Sequence, residues 1–328
     1  MSLSAADLER RFDAALLRRA ALRDAGATDA IRLVHDAADG VPGVVVEQFG
    51  AVLVTQVKEG LCRTPLATLR AAVEMLAARV AAPTVYLKHF VRDRAAVAVE
   101  HEQAHRDAAP WIGPAGPAER SVHEHGLTFL VRPFDGFSVG LFLEQRDNRA
   151  RVRAAAAGSR VLNLFAYTCG FSVAACSGGA AEVVSVDLSK RYLEWGRRNF
   201  AANRLPDGAA KFFCRDAVDH LRRAERHPPE FDLVILDPPT FARQRRPARV
   251  FVLREQLEPL LRAAIARVRS GGLLLACTND RDLSTADLER AARVAAGSRR
   301  CTIVERPALP ADFPGDAAYS TSIWVRIG

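Results

Sequence analysis

Long apolar runs are missing from this 328-residue chain. None approaches the ~20 residues that span a bilayer, and the N-terminal stretch Met1 to Ala20 is charged and amphipathic rather than an apolar leader. No membrane partner is expected, and the expected location is the cytoplasm. Cysteine is sparse and scattered, at positions 62, 169, 176, 214, 277 and 301, with no C-x-x-C pair and no His at metal-ligand spacing. Reduced core thiols are expected, and no metal site. Lysine is almost absent, with four residues (58, 88, 190, 211) among 46 basic ones. An Arg- and Ala-rich composition also follows from a GC-rich coding sequence. The net charge of +8 and the pI of about 9.6 therefore permit, without selecting, a polyanionic partner such as nucleic acid. The G-x-G-x-x-G fingerprint and any evident proton-relay residue are missing too, which argues against a nicotinamide oxidoreductase.

What remains is a soluble, globular composition, 49% hydrophobic and 26% charged, long enough for two domains. The most informative stretch is Val161 to Ser172. An apolar run (Val161 to Phe165) stops at Thr168, Cys169 and Gly170, and a short Ala-rich segment follows. This is the pattern of a buried parallel strand, a tight turn and a helix start, which places backbone N–H groups where open α/β sheets bind ligands. A second strand, Val183 to Val186, ends at Asp187. An acid there bonds the ribose of adenosine-containing cofactors, or simply caps the next helix.

Ahead of this, Leu8, Phe12, Leu16, Leu17 and Leu22 have near-helical spacing over residues 5 to 25, with an Arg-rich face that reads as solvated. Strands are expected at Ile31 to Val34, Val44 to Gln48, Val52 to Val57, Thr84 to His89 and Ala95 to Val99, with a helix over Pro65 to Val80. The sum is a small α+β module, one helix on an antiparallel sheet. Lys88, Arg92 and Arg94 form a basic cluster at a strand end, a candidate RNA contact or a solvated sheet edge. The Pro- and Gly-rich stretch Ala108 to Ala118 reads as a linker. It divides the chain into an N-terminal helix (1–28), the module (29–118) and a second domain (119–328). Gly140 to Arg149 then opens a helix whose Gln145, Arg146 and Arg149 are surface ion-pair formers or line a cleft.

Further on, a strand Lys211 to Cys214 is followed by Asp216, an acid able to accept an adenine amino group. The strand Phe231 to Leu236 ends in Asp237-Pro238-Pro239-Thr240-Phe241. Two prolines remove N–H donors and fix φ, holding the Asp and the carbonyls as rigid acceptors for a planar base. Arg243, Arg245, Arg246 and Arg249 lie beside this turn, where a phosphate backbone is expected. A last buried strand, Leu273 to Cys277, leads to Thr278-Asn279-Asp280, and strands are expected at Cys301 to Glu305 and Thr321 to Ile327.

Together these segments resemble a class I S-adenosylmethionine-dependent methyltransferase, more closely the large-subunit ribosomal RNA methyltransferase I/K type. The resemblance is carried by Arg32 to Gly43, Gly140 to Arg149, Leu162 to Ser172, Val186 to Ser189 and Asp237 to Phe241. It implies a Rossmann-like α/β domain with a seven-stranded, mostly parallel sheet, preceded by the small module. No counterpart of the PUA domain common in that family is expected ahead of the module, where the sequence reads as a helix. The resemblance further implies S-adenosyl-L-methionine as cofactor. Asn163, Phe165, Tyr167, Thr168, Gly170 and Phe171 would line the methionine end. Asp187 with Leu188 and Ser189 would hold the ribose, Asp216 with Ala217 the adenine. Asp237, Pro238, Pro239 and Asn279 would face the target base. RNA, most simply ribosomal, is the expected partner, contacted by Lys88, Arg92, Arg94, Arg146, Arg243, Arg245 and Arg246. A homodimer is left open.

The chemistry has two readings. Cytosine C5 is a poor nucleophile, and family members that methylate it resemble one another in placing a cysteine just after the fifth strand. Here Asn279 stands at that place, and Cys277 lies two residues earlier, about 6–7 Å away in an extended strand. Asn279 instead resembles the guanine-modifying relatives, so a ring or exocyclic nitrogen is favoured over C5 attack through Cys277. A third reading is an inactive RNA-binding or assembly factor on the same fold.

Overall fold

The computed structural model describes residues 2–90, 109–136, 138–206, 208–224, 228–245 and 248–328; at 224, 243–245, 248 and 249 it describes the backbone alone. The expected strand Ala95 to Val99 lies outside these residues, as do Arg92, Arg94 and Arg246. Two compact units emerge. One comprises Met1–Glu144 with Pro310–Asp316, the other Gln145–Leu309 with Ala317–Gly328.

The first unit begins with α1 (Ala5–Arg18), opened by a Ser4–Asp7 capping box and burying Leu8, Phe12 and Ala15 at helical spacing. The single helix expected to residue 25 is broken at Arg19, and α2 (Ala20–Asp24) resumes beyond it. Arg19 turns wholly inward, donating to Asp39 Oδ2 (2.7 Å) and to the carbonyls of Ala15 and Asp312 (3.0 Å each). Strands β1 (Ala30–His35), β2 (Val44–Phe49), β3 (Val52–Lys58) and β4 (Thr84–Phe90) pair in that order, with α3 (Leu66–Arg79) between the last two. β3 and β4 run parallel, so the sheet is mixed rather than purely antiparallel. A crossover through α3 dictates this, because only antiparallel neighbours can be joined by a tight hairpin.

The Pro-rich stretch is no free linker. Trp111 and Ile112 N–H groups donate to the Val85 carbonyl at 2.8 and 3.2 Å, laying the segment along β4. The hairpin β5 (Arg120–Glu124) and β6 (Leu127–Val131) is tied to the chain before β1 by Asp29 N–H to His123 O and His125 N–H to Ala27 O. The boundary therefore falls after Glu144, not after 118. Residues 310–316 join this unit because Asp312 accepts the Arg32 N–H (2.9 Å) and the Phe313 ring lies 4.2 Å from the Arg32 guanidinium, which itself pairs with Glu47. Burial, reinforced by the Arg32 charge, pulls the neighbouring His35 down to about 4.

In the second unit, α4 (Arg146–Ala155) leads to β7 (Arg160–Leu164), α5 (Gly170–Ser177), β8 (Glu182–Asp187), α6 (Lys190–Ala202), β9 (Ala210–Cys214), α7 (Ala217–Ala224) and β10 (Phe231–Leu236). The expected cationic loop is instead a ribbon of β11 (Phe241–Arg245) and β12 (Ala248–Val252). There follow α8 (Leu253–Ile265), β13 (Val268–Thr278), α9 (Thr285–Ala296), β14 (Cys301–Glu305) and β15 (Thr321–Ile327). The large sheet has seven strands in the order β14-β15-β13-β10-β7-β8-β9, mostly parallel as expected, with β15 antiparallel to both neighbours and the other six running in one direction. Leu162, Val234, Leu274, Leu261 and Leu288 are among its buried core. Among the described residues, no helix is long and apolar enough to cross a membrane.

Candidate active site

Strand order locates the site. From β7 the chain steps outward to β8 and β9, then β10 returns to the other side of β7. That reversal opens a crevice beyond the carboxyl ends of β7 and β10, the usual ligand position in open α/β sheets. Leu164 pairs with both Val186 and Leu236, and Leu236 with Ala276. The tips of four strands thus end level.

The turn after β7 is strained. Phe165, Tyr167 and Cys169 have φ of 57°, 50° and 63°, a region non-glycine residues rarely enter. Each such residue costs on the order of 1–3 kcal/mol and persists only where its surroundings over-determine it. Here Ala166 N–H donates to Val186 O (2.9 Å), Tyr167 N–H to Asp187 Oδ2 (2.8 Å) and Asn199 Nδ2 to Thr168 O (2.9 Å). The Cys169 side chain packs on Gly196 of α6, where a Cβ would stand 2.5 Å from Sγ. Buried there, its thiol is pushed up to about 12 and is inert. Gly170 opens α5, whose first-turn N–H groups have no intrahelical acceptor. Thr168 and Phe171 are buried in the same turn. Asn163 Nδ2 donates to Ser172 Oγ (2.8 Å), which bonds Ser185 Oγ (2.8 Å), fastening the start of α5 to the sheet.

Asp187 is the polar centre. Oδ2 accepts the Tyr167 N–H and Oδ1 the Ser189 N–H, both at 2.8 Å. Burial raises its pKa above the ordinary carboxylate value despite these two bonds. Each oxygen keeps a lone pair, so the carboxylate fits the paired hydroxyls of a ribose. Ser189 caps α6 through Tyr192 N–H, and Leu188 is half-exposed beside it, an apolar surface for a purine. Asp216 has a capping role the sequence did not single out: Oδ1 accepts the Asp219 N–H (3.0 Å) at the start of α7, leaving Oδ2 for an adenine amine. Ala217, next to it, is buried.

On the other side of the crevice Asp237 is half-buried, Pro238 buried and Pro239 exposed. Asn279 is exposed at the end of β13. Cys277, by contrast, is only 2% exposed, and its Sγ lies 3.7 Å from Gln145 Oε1. Gln145 also accepts from Asn148 Nδ2 (2.8 Å), and Asn148 reaches Ser322 (3.0 Å) and Trp324 (3.3 Å). This buried network beneath the strand tip explains why the Gln145–Arg149 segment is so polar. Arg254, at the start of α8, grips Asp280 at 2.5 and 2.7 Å and also Asp282, pinning the loop that carries Asn279. Neither Asn148 nor Arg254 was flagged by sequence; a polar pair one helical turn apart (145 and 148) was the available signal for the first.

The RNA contacts expected from sequence fare differently. Lys88 is 2% exposed with Nζ on Gly136 O (2.7 Å), and Arg146 is 1% exposed. Buried cations cannot meet a phosphate backbone at the surface, so both are corrected to internal roles. Of Arg243 and Arg245 only the backbone is described. Among the described residues no cluster of His, Cys, Asp or Glu could hold a metal ion.

Comparison with known proteins agrees with this geometry. Residues 41–323 match the family model for S-adenosylmethionine-dependent methyltransferases. The chain is 31% identical over 332 aligned residues to the Escherichia coli protein named ribosomal RNA large subunit methyltransferase I, covering 99% of this chain and 80% of that one. A methyltransferase solved with S-adenosylhomocysteine superposes with a TM-score of 0.86 at 26% identity, over 99% of this chain and 82% of the other. An S-adenosylmethionine-dependent methyltransferase from Streptococcus mutans gives 0.84 at 25% identity, with the same coverage. With the crevice, its paired acids and these matches together, the chain belongs to the S-adenosylmethionine-dependent methyltransferase family.

Proposed function

We propose that this methyltransferase acts on an RNA base, in ribosomal RNA, at a guanine nitrogen rather than cytosine C5. The observation that carries the choice of atom is the pairing of an exposed Asn279 with a buried Cys277 held against Gln145. A C5 mechanism needs a thiolate able to reach C6 of the base, and covalent attack tolerates errors of only about 1 Å. A base nitrogen needs no such adduct. The name of the Escherichia coli relative supports ribosomal RNA as the substrate.

Bound S-adenosylmethionine supplies an electrophilic methyl group on its sulfonium. Asp187 and Asp216 would hold the nucleoside end of that cofactor, and the strained Phe165–Cys169 turn with the start of α5 its amino-acid end. Asp237 and Asn279 would present the target nitrogen to that methyl group, with the Asp237 carboxylate as the acceptor for the proton the nitrogen sheds. Asp237 accepts a hydrogen bond from the base as positive charge develops on it, and the Asn279 amide orients the ring. Pro238 and Pro239 keep the acceptors aligned at no further entropic cost.

The test is turnover of Cys277→Ser on unmodified large-subunit RNA, with nucleoside mass spectrometry of the product. Activity within about twofold of wild type and a methylated guanosine are expected. A loss beyond about 100-fold with 5-methylcytidine as the wild-type product would establish the thiol route. The expected setting is cytoplasmic.

A further inference from the structure

The first unit has a cleft of about 500 Å³ between α1 and the turn around Gly40. Its α1 wall is a single helical stripe, Asp7, Arg10, Arg11, Ala14 and Arg18, at spacings of three, four, seven and eleven residues from Asp7. The charges of α1 are sorted by face. Glu9 and Asp13 are both engaged by Arg79 of α3, which removes them from the cleft side. On the cleft side the acids are outnumbered. Asp39 is fully buried and holds both Arg18 and Arg19, while Arg10 meets Asp7 at 2.5 Å and Arg11 donates to the neutral Gly40 carbonyl. Counting the charged residues that line the cleft, Arg10, Arg11 and Arg18 against Asp7 and Asp39, leaves an excess of one positive charge. Arg10 keeps 71% and Arg18 46% of its side-chain surface exposed, so both remain able to swing to a ligand. The opposite wall is made of small residues, Ala37, Ala38 and Gly40, around Asp39.

We infer that this cleft is a phosphodiester-binding groove for RNA. Eight residues separate Arg10 from Arg18, about 12 Å at 1.5 Å per residue. At 3.4 Å per nucleotide along a strand, that spans about three nucleotides. Small walls admit a sugar–phosphate chain without steric conflict, and guanidinium groups match phosphate bidentately. The inference rests on the RNA reading and adds where the backbone is held. It also supplies surface cations that Lys88 and Arg146, being buried, do not.

The test is the full-length protein carrying Arg10→Gln and Arg11→Gln together, binding a labelled oligoribonucleotide of mixed sequence, followed by fluorescence anisotropy at several salt concentrations. Arg10→Lys with Arg11→Lys is the charge-preserving control, and S-adenosylmethionine affinity is measured in parallel as a check on the fold. Affinity is expected to fall about tenfold in the Gln pair, with the log–log salt slope shallower by about 1.4. The Lys pair is expected to keep the wild-type slope, and cofactor affinity to stay unchanged in both. Equal RNA affinity and slope in wild type and the Gln pair would overturn the groove while leaving RNA as the substrate. A wild-type protein that binds no RNA would overturn the groove and the substrate reading together.

Discussion

Replacing Asp187 with Asn keeps the side chain's shape and changes only its charge and donor pattern. In the native protein both oxygens accept main-chain N–H groups at 2.8 Å, from Tyr167 and Ser189. An Asn presents one oxygen and one NH₂, so one of those N–H groups faces a donor. A bond to a charged acceptor contributes about 1.5–3 kcal/mol, and its loss is partly offset because burial already disfavours the ionised form. Unliganded stability is therefore expected to drop by about 1–2 kcal/mol. The cofactor loses a charge-assisted ribose contact of about 1.5–3 kcal/mol, which is roughly a 10- to 150-fold weaker dissociation constant. Calorimetry with S-adenosylmethionine, beside thermal unfolding without it, separates the two effects. The sign of the pH effect also follows. The ionised carboxylate accepts the ribose hydroxyls, so affinity is full above the raised pKa and lost as pH falls through it, earlier than an ordinary Asp would lose it. The Asn variant should lack that acidic limb. Affinity within threefold of wild type would refute the assignment of Asp187 to the ribose.

Other perturbations probe separate parts of the account. Gly196→Ala drives a methyl to 2.5 Å from Cys169 Sγ and is expected to cost about 1–3 kcal/mol with weaker cofactor binding, both relieved by adding Cys169→Gly; a silent substitution in calorimetry and melting would refute the packing. His35, pulled down to about 4 from the unfolded value of 6.5, stays neutral in the folded state. Its contribution is present above pH 6.5 and is lost as pH falls toward 4, on the order of 3 kcal/mol in all. Denaturant titrations of His35→Gln should lose that slope. Arg254→Gln frees Asp280 and Asp282 at a solvent-screened site, so thermal stability should change little. Steady-state kinetics should nonetheless show kcat/KM for RNA falling several-fold while cofactor affinity stays put.

Much of the catalytic unit is legible from residue pattern. Phe231–Leu236, Cys301–Glu305 and Thr321–Ile327 form at the bounds that apolar runs and flanking turn residues predict. Acids at or within two residues of the ends of three strands (187, 216, 237) mark the sheet's ligand edge because strand ends are where a continuous hydrophobic run must stop. Less legible is anything set by tertiary packing. Phe165 and Tyr167 carry no sequence mark of a positive φ, which their neighbours impose. Prolines between 110 and 117 suggest a linker, yet the N–H groups of Trp111 and Ile112 remain available and bond β4. Lys88 and Arg146 look like surface cations until burial is known. Helix α9 buries mostly Ala292, Ala295 and Ala296, too weak an apolar signal, although its Ser284–Asp287 capping box announces the start.

The most direct test of the central claim is a crystal structure with S-adenosylhomocysteine bound. The account predicts the ribose hydroxyls on Asp187, the adenine amine at Asp216 and the sulfur facing Asp237 across the β7–β10 crevice. An adenosine bound elsewhere, or a ribose that leaves Asp187 untouched, would contradict it.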